Sequence, residues 1–383
     1  MNARRPERSA GARGGQRALA TAALLLAAAS SPVLSEERWT VQGLLDAEYW
    51  QTDDGSRLLS RNEGNAAGGG RLRLWAAGDF APWLQGFARG AFSDGVTSYG
   101  VEEGTVQSDL ELAFLRYTAP ERTGLVLEAG RLQTPVGDFS GRYLSTQNPL
   151  IGAPDNYGVE YPLGFKVWGR AGRFDYLAAE VDKPMIVKGY VPEAGNAFRP
   201  VLGAGFTPLA GLRFGAYVTQ GPYLGEEVES ALPPGTSLPD YDQKVEGFET
   251  QFSRGYFELH AEIAWSRYDV PTYSSPIRGR VFYVEPKYTF TPRLFAALRL
   301  EQNEYAYVAV FPGGNWFGTA VTFADVEAGI GWRLTPGLLL KASYRRDRWD
   351  VDESLKDILP DGYAVAAQLS YTFDVRSWVE RPR

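Results

Sequence analysis

The chain contains no cysteine and only one histidine. The lack of cysteine excludes a disulfide framework, a zinc knuckle and thiol chemistry. Beyond the N-terminal segment there is no run of 18 apolar residues, so the sequence offers no transmembrane helix. The lone histidine, His260, stands between Glu258 and Glu262 on one face of a predicted strand, which is a weak signal for a metal site. We therefore predict no metal and no other cofactor.

The N-terminus predicts export. Five arginines precede the short apolar segment 18–30, Pro32 follows it, and Val33 and Ser35 suit the −3 and −1 positions of a cleavage site. This pattern predicts a secretory signal peptide over residues 1–35. Removing its five arginines and one glutamate from the 39 basic and 46 acidic residues leaves 34 and 45, a net charge of −11. An acidic exported chain argues against nucleic acid as a partner.

The rest of the chain is dominated by alternation of apolar and polar residues. In WTVQGLLDAEYW (39–50) the odd positions are apolar or glycine, and most even positions are polar. Because side chains alternate across a strand, such a segment has one apolar face and one polar face. We count about sixteen such segments, from 39–50 to 363–373, each near the 9–11 residues that a tilted strand needs to cross a bilayer. Only 83–93 and 106–118 have an ambiguous phase.

The connections alternate between tight turns and long polar loops. The seven turns are rich in proline and glycine and occupy 80–83, 118–124, 169–173, 207–211, 253–256, 290–293 and 334–337. The eight long connections are 51–69, 94–105, 133–161, 183–197, 221–243, 268–278, 303–318 and 349–362. A soluble all-β domain has no reason to sort its loops by length, whereas an outer-membrane barrel does. We predict an all-β fold, a closed antiparallel transmembrane β-barrel of about 16 strands over residues 36–373, with 374–383 as a periplasmic tail.

The third long connection, 133–161, differs from the others in composition. It is too apolar for a freely solvated loop tip, since its residues include Tyr143, Leu144, Leu150, Ile151, Tyr157 and Tyr161. Folded against the inner wall of the barrel, these side chains would be covered. The alternative is an ordinary extracellular loop with a few aromatic residues.

The start of this loop, GRLQTPVG (130–137), resembles the G-R/Q-x-x-T-P-x-G motif of porins related to the phosphate-selective kind. The resemblance implies an outer-membrane channel for passive diffusion of small hydrophilic solutes or ions, narrowed by an inward third loop, and a homotrimer. Loop 133–161 has no lysine, so anion selectivity is not carried over. The chain also continues past Phe373, where many such barrels end.

The resemblance also indicates a constriction. Arginines on the polar faces of the predicted strands would point inward toward the loop, and rings of charge tune ion selectivity. The residues that we assign to the constriction are Arg71, Arg73, Arg89, Arg131, Asp138, Arg142, Asp155 and Glu160. The alternative is that these charges are scattered along a solvated wall in ordinary salt bridges.

Two other classes of function compete with a channel. An outer-membrane enzyme that used serine chemistry would need a base and an acid close together, yet no G-x-S-x-G occurs, and we predict no enzymatic activity. An adhesive or structural barrel would favour fewer strands, because sixteen enclose an aqueous lumen. Membrane lipid is an expected partner, and lipopolysaccharide is another, since divalent cations would bridge its phosphates to the acidic loops 221–243 and 349–362.

Overall fold

A computed structural model describes residues 39–98, 100–119, 124–155, 158–185, 195–311 and 313–375. Sixteen antiparallel strands form one closed barrel in which each strand pairs with its neighbours in sequence and β16 pairs with β1. The strands are β1 Trp39–Thr52, β2 Ala67–Ala81, β3 Leu84–Thr97, β4 Gly100–Thr118, β5 Val126–Arg131, β6 Leu163–Ala171, β7 Phe174–Val181, β8 Arg199–Leu209, β9 Leu212–Pro222, β10 Asp242–Arg254, β11 Phe257–Tyr268, β12 Ile277–Thr291, β13 Leu294–Phe311, β14 Asn315–Thr335, β15 Leu338–Asp350 and β16 Gly362–Asp374. The predicted fold is confirmed.

The alternation along each strand separates an outer face from an inner face. At the closure of the barrel, Asp46 lies opposite Ser370 on β16 and Arg71 on β2, which makes a polar row that faces the lumen. The next residue, Ala47, lies opposite Leu369 on the outer face. Directly opposed residues of an antiparallel pair share one face of the sheet. The register therefore gathers the polar residues inside and the apolar residues outside.

The outer face is apolar and exposed. It carries large side chains such as Leu45, Phe165, Leu202, Ile330 and Val365, each more than a third exposed. Aromatic side chains lie near the ends of strands: Phe80, Trp83, Phe290 and Trp332 by the short turns, and Tyr49 and Tyr363 by the long loops. Such belts mark the two interfaces between lipid and water.

The two strands of ambiguous phase have an unusual distribution of side chains. On β3 the small residues Gly86, Ala88 and Gly90 alternate with Phe87 and Arg89. The register places Phe87 and Arg89 on the inner face, because Arg89 lies opposite Trp75 and is two residues from Ala91, which lies opposite Arg73. An aromatic ring on the wet face and small residues on the lipid face remove the hydropathy contrast. Irregular pairing between β3 and β4 at Arg89/Gly90 blurs the period further.

Two of the predicted long loops are instead strands. Residues 94–105 belong mostly to β3 and β4, and 303–318 belong mostly to β13 and β14, so both connections are short hairpins. The prediction was wrong because the strands continue beyond the apolar belt of the barrel, where apolar and polar residues no longer alternate. Val308 and Trp316 of the longer hairpin pack instead against Tyr223 and Val228 of the neighbouring loop 223–241.

The ends of the chain lie outside the described residues. The predicted signal peptide over 1–35 and the tail beyond residue 375 therefore stay predictions.

In the described part of the chain, no helix is both long enough and apolar enough to cross a membrane.

The seam between β1 and β16 generates a prediction about stability. Gly43 lies opposite Phe373, and a Cβ added at Gly43 would come within 2.2 Å of the Cζ atom of that ring. We expect Gly43→Val to lower the free energy of unfolding by about 1–3 kcal/mol, because overpacking forces the ring or the backbone to move. Urea unfolding in detergent, followed by gel migration without boiling, measures the change.

The matched control is Ala47→Val on the same strand, where the side chain is exposed on the outer face. Equal unfolding midpoints for the two variants would show that the ring of Phe373 does not pack on Gly43.

Candidate functional site

The third loop, L3 (residues 132–162), folds into the barrel, and its two legs are joined where it leaves the wall. The amide of Leu132 donates to the carbonyl of Pro162 at 2.8 Å, and the amide of Thr134 donates to the carbonyl of Glu160 at 2.9 Å. The amide of Glu160 donates in return to the hydroxyl of Thr134 at 2.9 Å. Gly137 has φ +91°, a conformation that favours glycine. The GRLQTPVG motif thus forms the base of the loop.

Carboxylates of the wall accept hydrogen bonds from the backbone amides of L3. The amide of Asp138 donates to Glu262 at 3.0 Å, and the amide of Asp155 donates to Glu301 at 2.9 Å. The amides of Ile151 and Gly152 donate to Glu327 at 3.2 and 2.9 Å. The described residues of L3, 132–155 and 158–162, have no strand partner inside the barrel, and a buried amide without an acceptor is costly. The glutamates of β11, β13 and β14 therefore take the place of a β-ladder.

Cationic side chains of the wall donate to the carbonyls of the same loop. The bonds are Lys341 to Asn148 and Leu150 (3.1 and 2.7 Å), Arg299 to Gly152 (2.9 Å), and Arg345 to Ala153 (3.0 Å). Lys341 and Arg299 are at most 1% exposed, so their charges are held inside a packed polar network. Buried cations of this kind are stable only when carboxylates and carbonyls surround them.

Asp138 is the most highly connected carboxylate of L3. It accepts hydrogen bonds from Gln251 at 2.7 Å, from the hydroxyl of Tyr283 at 3.1 Å and from Nε of Arg142 at 2.9 Å, and Nδ1 of His260 lies 2.9 Å away. Burial alone would raise the pKa of Asp138, but the hydrogen bond from His260 and the charge of Arg142 outweigh burial and hold the pKa below its usual range. Asp138 is therefore ionised at neutral pH.

Apolar contacts fix the two ends of the inward segment. Phe139 and Tyr143 pack among residues of β7 to β12, including Val201 and Val281. At the far end, Ile151 packs in a cluster that includes Leu59 of loop 53–66. In addition, Ser145 donates to Asp46 on β1, and Arg89 on β3 donates to Tyr143. With the hydrogen bonds described above, these contacts join L3 to β1, β3 and every strand from β10 to β15. The loop therefore reaches the wall opposite its base.

The structure brings Arg71, Arg73 and Arg89 together, but not opposite the carboxylates of L3. All three lie within 3.5 Å of the carboxylate of Glu111 on β4, at 3.5, 3.0 and 2.8 Å. The ring of Tyr143 lies over two of them, with the guanidinium carbons of Arg73 and Arg89 at 5.6 and 5.4 Å from its centroid. The carboxylate that the three arginines share therefore belongs to the wall and not to L3, and it cancels only one of their three positive charges.

The other predicted residues divide into two groups. Arg142 bonds to Asp138 within the loop and pairs with Glu285 on β12, while Asp155 pairs with Arg345 on β15 at 2.5 Å. Arg131 and Glu160 stand apart from this network. Arg131 lies 3.4 Å from Asp109, and Glu160 lies 3.4 Å from Lys183, and all four side chains are at least a third exposed. The wall arginine that pairs with a loop carboxylate is thus Arg345, and the assignment of the predicted residues to a constriction stays a prediction.

Several residues of this network are absent from the sequence prediction. They are Glu111, Glu262, Glu285, Arg299, Glu301, Glu327, Lys341 and Arg345. The alternation places all of them except Glu111, whose segment has an ambiguous phase, on the polar face of a strand, but it does not indicate which polar side chains meet L3. In the part of the chain that the structure describes, no three His, Cys, Asp or Glu side chains are arranged to hold a metal ion.

Comparison with solved structures bears on the architecture. The anion-selective porin of Comamonas acidovorans is 10% identical, with a TM-score of 0.59 over 88% of this chain and 99% of that chain. The outer-membrane expressed OmpT of Vibrio cholerae is 12% identical, with a TM-score of 0.57 over 89% and 99%. OmpF of Salmonella typhi in complex with daunomycin is 11% identical, with a TM-score of 0.56 over 88% and 97%. The chain has the fold of a porin.

No protein-family model and no curated protein matches the sequence. The porin fold and the apolar outer face together place the protein in the outer membrane. Membership of the phosphate-selective group has no support among these structures and stays a prediction.

The bonds of Arg345 generate a prediction about the order of L3. Its Nη2 and Nε atoms lie 2.5 Å from Asp155 and from Asp325, and the side chain is buried. We expect Arg345→Gln to loosen the far end of L3 and to lower the free energy of unfolding by about 3–5 kcal/mol, because two buried carboxylates lose their cation. Hydrogen exchange of the amides of residues 151–153 and of Asp155 should quicken by at least tenfold.

The matched control is Arg348→Gln, three residues along the same strand. Arg348 has a side chain that is 75% exposed, and its carboxylate partner Asp361 is 3.9 Å away. Exchange in L3 that is equally slow in both variants would contradict the role of Arg345 as an anchor.

Proposed function

We propose that this protein is a porin, a channel through which small hydrophilic solutes or ions cross the outer membrane passively. The observation that carries the proposal is that L3 enters the lumen and is bonded to the wall opposite its base. A sixteen-stranded barrel encloses a space that its own wall side chains do not fill. A segment that crosses this space sets the width of any passage through it.

The constriction that we propose consists of L3 and the wall residues that bond to it. Of the residues predicted from the sequence, Arg71, Arg73, Arg89, Asp138, Arg142 and Asp155 belong to this region, whereas Arg131 and Glu160 lie near the base of the loop. The inward side chains on the short-turn side, such as Gln42, Gln85 and Ser253, are exposed. Water therefore reaches the lumen up to the level of L3, which supports a narrow section at the loop.

Replacement of residues 139–155 with a short Gly-Ser linker tests this proposal. We expect single-channel conductance in planar bilayers to rise several-fold, because the narrowest section of a pore dominates its resistance. An unchanged conductance would mean that L3 does not limit the passage.

The control shortens loop 223–241 by removing residues 226–236. That loop packs on the hairpin of β13 and β14 through Val228 and forms no described bond with L3. Its removal should leave the conductance as it was.

We prefer a channel to an enzyme because the lone histidine is engaged with Asp138 of L3 and has no serine among its described hydrogen-bond partners. We prefer it to an adhesive or structural barrel because the inner wall is built around an inserted loop. Lipid and lipopolysaccharide remain the expected surroundings of the outer face and of the acidic loops.

We also propose that the protein assembles as a homotrimer. The support is the barrel's likeness to a trimer form of Vibrio cholerae OmpT, which is 12% identical with a TM-score of 0.56. Light scattering in mild detergent should give the mass of three chains, and the mass of a single chain would contradict the proposal.

A further inference from the structure

A patch of aromatic side chains lies on the inner wall, on the short-turn side of L3. The rings of Phe87 on β3 and Phe114 on β4 stack with centroids 5.2 Å apart and an interplanar angle of 25°. Trp168 on β6 belongs to the same region, and all three side chains are only partly buried. Aromatic side chains thus face a lumen that is otherwise lined by polar groups.

The register fixes the direction in which these side chains point. Phe87 is two residues before Arg89, whose side chain contacts Tyr143 of L3, so both point into the lumen. Phe114 lies directly opposite Phe87 and shares its face. On the other side of the patch, Lys166 lies opposite Ala179, which packs against L3. Two independent contacts with L3 therefore place the patch inside the barrel.

Two cations lie beside the rings and share one carboxylate. Nη2 of Arg116 and Nζ of Lys166 are each 2.7 Å from an oxygen of Glu128, which leaves a net charge of +1 on the three groups. The guanidinium of Arg116 lies 5.6 Å from the centroid of Phe114, and Lys166 lies 5.8 Å from that of Trp168. The side chain of Arg116 is 39% exposed and that of Lys166 is 18% exposed, so a solute in the lumen can reach both.

The row beyond Phe114 carries no side chains. Its cross-strand partner on β5 is Gly130, and the partner of Gly130 on β6 is Gly164, so neither neighbour projects a side chain over the ring. Exposed apolar surface costs free energy in water, and a solute that covers it recovers part of that cost. Partly exposed rings and an adjacent positive charge therefore lie side by side on the wall.

We propose that this part of the inner wall, which we call the aromatic–basic patch (Phe87, Phe114, Arg116, Lys166 and Trp168), binds small aromatic carboxylates during their passage. The inference deepens the proposed function, on which it rests, by naming a class of solute. The ring of the solute packs on Phe87 and Phe114, because aromatic rings prefer offset or edge contacts with one another. The carboxylate accepts charge-assisted hydrogen bonds from Arg116 and Lys166.

The positive charge of the patch comes from Arg116 and Lys166 themselves. Around them the charges are balanced, because Arg170 lies opposite Asp175 on β7, and Asp79 at the end of β2 accepts from the neutral amide of Gln85 at 2.8 Å. Binding in a channel must be weak enough to permit release. We therefore expect dissociation constants in the millimolar range for a single-ring acid.

Titration calorimetry of the whole protein in detergent tests the proposal with benzoate, benzamide, benzylamine and acetate. Benzoate should bind, whereas benzamide lacks the charge, benzylamine has the wrong charge and acetate lacks the ring. Phe114→Leu keeps the apolar volume but removes the flat ring, and Arg116→Gln with Lys166→Gln removes both cations. Each of these variants should weaken benzoate binding by about tenfold or more, given that a charged hydrogen bond or a stacked ring is worth that much.

Two control variants separate the patch from the rest of the wall. Lys287→Gln removes a lumen cation of β12 that pairs with Glu258 on β11. Phe282→Ala removes an exposed ring from the outer face. Both should bind benzoate like the unchanged protein. Equal binding of all four solutes, no binding of benzoate, or equal losses in the controls would overturn the proposal. Because calorimetry does not require conduction, this outcome is independent of the test of the channel.

Discussion

The hydrogen bonding of L3 inside the barrel is the interaction on which the rest of the lumen depends. A loop without strand partners carries amides and carbonyls into a space where most of them are shielded from water, and each needs a partner. Glu262, Glu301 and Glu327 accept from its amides, and Lys341, Arg299 and Arg345 donate to its carbonyls. The wall thus supplies donors and acceptors in the order that the loop requires.

This arrangement explains why charged side chains are buried so completely. Arg299 is fully buried and lies within 3.8 Å of Glu285, Glu301 and Glu327, each on a neighbouring position of the wall or on its own strand. Loss of Arg299 would remove the cation that these three buried carboxylates share in a region of low dielectric, which is costly. An inner wall of this kind holds the loop in one place. Its charged side chains therefore fix the position of L3 in addition to facing any solute in the lumen.

The short-turn side of the lumen has a different composition, and L3 does not cover it. There the wall combines stacked rings with exposed cations, and Phe87 faces water instead of lipid. Because the inner face has rings there in place of polar residues, the alternation of apolar and polar residues in 83–93 is weak, and the sequence does not show which face points inward. A failure of the hydropathy pattern therefore coincides with the part of the wall that has the chemistry to bind a solute.

The sequence by itself determined the barrel, because a closed membrane barrel must be apolar on alternate residues and must sort its connections by length. It also favoured an inward L3, since the apolar residues of the loop need cover, and it pointed to Asp138, Arg142 and Asp155, which lie in the network that holds the loop. What it could not determine is which polar residues meet. Glu111 and Arg73 are 38 residues apart, and Arg345 and Asp155 are 190 apart. Only the order of the strands and the insertion of L3 bring them together, because a period of two residues specifies a face of the wall and not a partner.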